Sequence, residues 1–81
     1  TLSLKNATHR VVRYLLTQLM RLPTPGNRFE LPMAKQLIAG HLSIQPETFS
    51  RIIRRLIDEN IITQEGRQIS VLDRLRLEQF E

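Results

Sequence analysis

The residues best placed for chemistry lie between Ser43 and Leu56, reading Ser-Ile-Gln-Pro-Glu-Thr-Phe-Ser-Arg-Ile-Ile-Arg-Arg-Leu. Pro46 suits the first position of a helix, where a missing N–H costs nothing. At 100° per residue, Phe49, Ile52, Ile53, Leu56 and Ile57 share one arc of that helix. Glu47, Ser50, Arg51, Arg54 and Asp58 share the opposite arc. Near the helix start the polar arc presents an acceptor, a hydroxyl and a guanidinium one turn apart, the side-chain set that reads base edges in a major groove. Helix pattern alone also allows plainer roles. Glu47 opposes the helix dipole at its start, and Arg51 and Arg54 suit a solvated face.

The flanking sequence predicts the elements that position this arc. Leu2 to Leu22 reads as a first helix, with Asn6 as its N-cap and Val11, Val12, Leu15, Leu16, Leu19 and Leu22 on one face. Arg10, Arg13, Thr17 and Arg21 fall on the other face, as solvated surface or as contacts to phosphate or a partner protein. Pro23-Thr-Pro-Gly-Asn ends the helix in a turn. Arg28-Phe-Glu-Leu-Pro alternates as a short strand should, with Phe29 and Leu31 pointing inward. Met33 to Leu42 forms the first helix of a helix-turn-helix, burying Met33, Leu37, Ile38 and Leu42. Lys35 and Gln36 stand at its start, where this motif crosses the nucleic-acid backbone. Gln45 is a poor N-cap, so entry into the next helix rests on Pro46 and Glu47. After Asn60 the periodicity switches to alternation. Ile61 to Gln64 and Arg67 to Leu72 pair as a hairpin around Glu65-Gly66. A hairpin directly after a reading helix is a wing, and Arg67 beside its tip is a candidate phosphate contact. Asp73 caps a last short helix in which Leu75, Leu77 and Phe80 pack back on the body. The fold class is therefore mostly α with a small β-hairpin, a winged helix-turn-helix.

Glu47-Thr48-Phe49-Ser50-Arg51 resembles the Glu-x-x-Ser-Arg reading helix of the Fnr/Dnr-like branch of the Crp/Fnr bacterial transcription regulators. Leu31 to Gln36 before it and Asp58 to Arg67 after it carry the same likeness, which covers essentially the whole chain. The resemblance implies that residues 1–81 are a single DNA-binding domain. In the family, a sensor domain and a dimerisation helix precede it. The implied base-reading residues are Glu47, Ser50 and Arg51: Arg51 to guanine, Ser50 to a neighbouring thymine, and Glu47 to cytosine N4. Lys35, Gln36, Thr48, Arg54 and Arg67 are the implied backbone contacts. Thr8 joins them, because family members dock the start of the first helix near the backbone. The expected partners are double-stranded DNA at TTGAT-type palindromes and a second copy in the intact protein. RNA polymerase is the third, at the loop of residues 23–27. The expected role is activation of denitrification or anaerobic genes. Haem or another sensor ligand would belong to the preceding domain, with no cofactor held by these residues. Many relatives have glycine at the position of Ser43, and serine suits the turn provided its backbone is not left-handed.

Composition narrows the alternatives. The chain has 81 residues and no cysteine, which leaves one small core and no disulfide, thiol nucleophile or thiolate metal site. No apolar run approaches the roughly 20 residues of a membrane span, so a cytoplasmic location without a membrane partner is expected. His9 and His41 stand apart from any ligand cluster and fit ordinary helix surface. Paired carboxylates, nucleophile–base pairs and glycine-rich phosphate loops are not found, so no catalytic and no metal-binding residues are assigned. The net charge is +4, and residues 1–28 carry Lys5, Arg10, Arg13, Arg21 and Arg28 without an acid. Non-specific attraction to phosphate should be modest. Two rivals remain: a protein-docking winged helix, which would more often show apolar residues on the arc, and an RNA-binding one, which lacks exposed aromatics for stacking.

Overall fold

The computed structural model describes residues 4–21 and 27–81. Their elements run α1 (Leu4–Arg21), β1 (Arg28–Glu30), α2 (Lys35–His41), α3 (Pro46–Asp58), β2 (Ile62–Glu65), β3 (Gln68–Val71) and α4 (Arg74–Gln79). The apolar arc of α3 is the centre of packing. Phe49, Ile52, Ile53 and Leu56 are buried, Ile57 is half-buried, and the polar arc faces solvent. Against them lie Ala7, Val11, Val12, Leu15 and Leu19 of α1, and Ile38 and Ala39 of α2. Each fully buried aliphatic or aromatic side chain contributes about 1.5–3 kcal/mol, so this one cluster carries most of the hydrophobic stabilisation.

The strands close the cluster from the other side. They form an antiparallel sheet in the order β1-β3-β2, with Phe29 opposite Ile69 and Ile62 opposite Val71. Phe29, Leu31, Ile62, Ile69 and Val71 point into the core, as the alternation predicts. Gly66 opens the two-residue turn of the wing at φ 59°, a conformation that glycine adopts without strain.

The end of α2 and the end of α3 are built the same way. Ser43 N–H donates to the Gly40 carbonyl and Ile44 N–H to the Ala39 carbonyl; Asn60 and Ile61 repeat the pair on Ile57 and Leu56. In both, the first of the two residues is left-handed, Ser43 at φ 60° and Asn60 at φ 59°. This is the Schellman arrangement, completed by a buried apolar residue just beyond, here Ile44 and Ile61. Ser43 thus adopts the left-handed backbone that the sequence disfavoured, because the hydrogen bonds and the burial of Ile44 together outweigh its strain.

Several boundaries differ from expectation. Asn6 does not cap α1 but lies inside it, because the helical bonding begins by Leu4. Residues 2, 3 and 22 of the expected helix, and most of the Pro23–Asn27 turn, lie outside the described residues. α2 starts at Lys35 rather than Met33, since Ala34 is still extended and has no side chain to cap with. Leu37 is 62% exposed, and Ala39 takes the core position instead. Only Ile38 and Ala39 of this seven-residue helix are buried. In α4, Asp73 caps as expected, its Oδ1 accepting from Arg76 N–H at 3.0 Å. Leu77 is buried and Phe80 half-buried, but Leu75 is 63% exposed, because so short a helix turns only one position fully inward.

Replacing Ser43 by glycine relieves a left-handed penalty of about 1–2 kcal/mol at an entropic cost of roughly 0.5–1 kcal/mol. Ser43→Gly is therefore expected to raise the urea midpoint slightly. A clear fall would show that the serine side chain holds the turn.

Candidate nucleic-acid interface

The start of α3 is fixed from outside rather than by its own cap. Gln45 makes no side-chain capping bond, and Pro46 occupies the first turn. Entry is set by the Schellman turn before it and by Phe49 anchored below. The first exposed turns of α3 therefore have a defined orientation. Glu47, Ser50, Arg51 and Arg54 all face solvent, and Thr48 is half-buried. Arg51 Nη2 donates to Glu47 Oε1 at 2.7 Å, although both side chains are 75% exposed. Arg54 lies 3.4 Å from Asp58. Ion pairs this exposed add at most about 0.5 kcal/mol of stability. Their structural effect is to hold two guanidiniums extended along the helix face.

Lys35 and Gln64 face this arc across a shallow groove floored by Ile53 and Ile57. The Lys35 ammonium donates to Gln64 Oε1 at 3.2 Å, and Gln64 Nε2 donates to the Gly66 carbonyl at 2.9 Å. Gln64 thereby ties the start of α2 to the wing tip. Gln64 is not among the expected contact residues, yet its position carries a signal. In β2 it shares the inward register with Ile62, where a polar residue needs a partner. Gln36 is exposed beside Lys35, and Arg67 is exposed at the wing tip.

The structure thus gathers Lys35, Gln36, Glu47, Ser50, Arg51, Arg54 and Arg67 at the solvent-facing surface of α2, α3 and the wing. Thr8, expected as a backbone contact, is the exception. Its side chain is fully buried in α1 beneath its neighbours, and its hydroxyl has no hydrogen-bond partner, so it presents no donor to an outside phosphate. Helix pattern puts Thr8 one residue from the core position Ala7, and packing turned both inward. The Tyr14 hydroxyl is likewise buried without a partner, and desolvation raises its pKa above the ordinary phenol value. His9 and His41 are exposed on helix surface. Among the described residues no group of His, Cys, Asp or Glu is placed to hold a metal ion. No described helix is long and apolar enough to cross a membrane.

A helix-turn-helix whose second helix shows a polar arc between a basic helix start and a hairpin wing defines the winged helix-turn-helix class. A family model described as the Crp-like helix-turn-helix domain matches residues 9–80. The chain belongs to that family, the DNA-binding domains of the Crp/Fnr transcription regulators. It is 32% identical over 79 residues to the transcriptional activator protein FnrA of Stutzerimonas stutzeri, a match covering 94% of this chain and 32% of that protein. Among solved structures it is similar to DNR from Pseudomonas aeruginosa, at 69% identity and a TM-score of 0.84 over 96% of this chain and 34% of that one. FixK2 from Bradyrhizobium japonicum superposes with a TM-score of 0.85 at 34% identity, covering 93% of this chain and 38% of that one. The chain therefore spans about a third of the length of these relatives.

Because the Thr8 hydroxyl is buried and unpaired, Thr8→Val is expected to stabilise the chain or leave it unchanged, within about 1–2 kcal/mol. DNA affinity should not change. A loss of affinity with an unchanged melting curve would restore Thr8 to the interface.

Proposed function

We propose that this chain is the sequence-reading domain of a Dnr-like Crp/Fnr regulator acting at TTGAT-type palindromes. The observation that carries the reading is the exposed arc Glu47, Ser50, Arg51 at the start of α3, with Arg51 already held extended by Glu47 at 2.7 Å. In this reading α3 enters the major groove by its first turns. Arg51 makes a bidentate contact to guanine, Ser50 meets a neighbouring thymine, and Glu47 accepts from cytosine N4. Arg54, Lys35, Gln36, Thr48 and Arg67 position the domain on phosphates without reading sequence. Pro46 stands where Crp-type proteins carry a base-reading arginine, which disfavours the Crp half-site.

A palindrome calls for two copies, so the intact protein acts as a homodimer joined outside this chain. Activation of denitrification or anaerobic genes follows the likeness to DNR and to the activators FnrA and Anr. Contact with RNA polymerase through the segment of residues 23–27 belongs to the same reading. So does a sensor ligand such as haem held by a preceding domain; no residue here is assigned to it. The reading includes no catalytic step and a cytoplasmic location. A protein-docking winged helix is the rival, and the charged and hydroxyl-bearing arc disfavours it.

Fluorescence anisotropy on a TTGAT palindrome and a scrambled duplex, with the chain alone and as a tethered dimer, tests the reading. Arg51→Ala should cost about 1–3 kcal/mol on the palindrome and relax preference at one guanine. Equal loss on every sequence would make Arg51 a phosphate contact instead. Lys35→Ala should weaken all duplexes alike and lower the salt slope by about 0.9. A loss confined to one sequence would remove Lys35 from the positioning set. Failure of the tethered dimer to bind either duplex would favour the protein-docking rival.

A further inference from the structure

Glu47–Arg51 and Arg54–Asp58 close within α3, Arg74–Glu78 closes within α4, and Arg76 of α4 meets Glu59 just past the end of α3. On the reading arc, Arg51 and Arg54 are offset by Glu47 and Asp58, which leaves that face close to neutral. The net charge of +4 therefore resides elsewhere. Arg10, Arg13 and Arg21 line a groove of about 380 Å³ along α1 that ends at His41 and Leu42 and has no acidic residue in its wall. Arg10 Nη1 donates to the Leu42 carbonyl at 2.8 Å. That bond fixes the groove to the turn between α2 and α3 and leaves the arginine charge unneutralised. Arg13, one turn along α1, is exposed.

The placement of α2 gives the groove a partner. Lys35 stands at one end of this helix, beside the wing, and His41 at the other, beside the groove. Seven residues at 1.5 Å rise span about 10 Å, close to the roughly 12 Å width of a B-DNA major groove. With the first turns of α3 in the major groove, the two ends of α2 are far enough apart to reach its two walls.

We propose that the basic groove between α1 and the end of α2 takes the sugar–phosphate backbone of the duplex on the side of α3 away from the wing, with Arg13 as its main free cation. This rests on the reading of α3 as the base-reading helix. The near-neutral arc of α3 adds little attraction for a polyanion to that of Lys35 and Arg67, and the α1 groove offers three more arginines beside the turn that leads into α3. The interface thereby becomes two-sided, with base reading in the middle and phosphate grips on both flanks.

The test uses two TTGAT duplexes, one ending at the outer edge of the half-site and one longer by about six base pairs on that flank. Binding is measured at several salt concentrations for the wild-type chain, Arg13→Gln, Arg13→Lys and Arg51→Ala. On the long duplex Arg13→Gln should lose affinity on the order of fivefold and lower the salt slope by about 0.9, with sequence preference intact. On the short duplex it should match wild type, and Arg13→Lys should keep most of the slope. Unfolding curves of wild type and Arg13→Gln should coincide, since Arg13 is exposed. Sequence-specific binding by wild type, lost in Arg51→Ala, together with an unchanged slope in Arg13→Gln on both duplexes, would overturn the proposal alone. The groove would then be open to an acidic protein segment. Equal loss on both duplexes would also overturn it, by placing Arg13 inside the half-site. No binding by wild type to either duplex would overturn the reading of α3 and this proposal with it.

Discussion

The turn between α2 and α3 is the constraint on which the rest of the structure depends. Two backbone bonds, Ser43 to Gly40 and Ile44 to Ala39, satisfy the last carbonyls of α2 and force Ser43 into the left-handed region. Ile44 is then pressed into the core, and the next residues enter α3 with no side-chain cap of their own. Remove the turn and the angle between the two helices is undefined, because α2 has only Ile38 and Ala39 buried to hold it. The hydrophobic cluster sets how firmly α3 is seated. The turn sets which way its polar arc faces.

The sheet makes a second, weaker constraint. β3 pairs with β1 on one side and β2 on the other, so the wing is anchored to the segment before α2 as well as to α3. The Lys35–Gln64–Gly66 chain of hydrogen bonds then ties the start of α2 to the tip of the hairpin. Three separate stretches of sequence therefore border one groove. Their relative positions follow from backbone pairing and core packing rather than from bonds within the polar arc of α3.

Most of the frame was legible because its signals are periodic. The spacing of Phe49, Ile52, Ile53 and Leu56 permits only one face to be buried, and the alternation of Phe29, Leu31, Ile69 and Val71 does the same for the strands. Exposed positions on α3 followed directly. What could not be read was set by tertiary context. Ser43 is left-handed because a Schellman end demands it there, whatever residue occupies the position. Thr8 is small enough to be packed away, so its polarity gave no reliable sign of exposure. Leu37 and Leu75 look like core residues but sit on helices too short to turn every apolar side chain inward. Gln64 acquires its importance only when the start of α2 is brought beside the wing, a proximity between residues 35 and 64 that no local pattern encodes.

The two ion pairs on the face of α3, Glu47–Arg51 and Arg54–Asp58, are closed within the helix itself. None of these four side chains holds another element in place, and none contributes to the core. The outer arc is in effect a replaceable label on a fixed mount. Substitutions there should hardly move the melting temperature, so on the proposed reading of the arc new target preferences could arise one residue at a time without a compensating repair elsewhere in the fold.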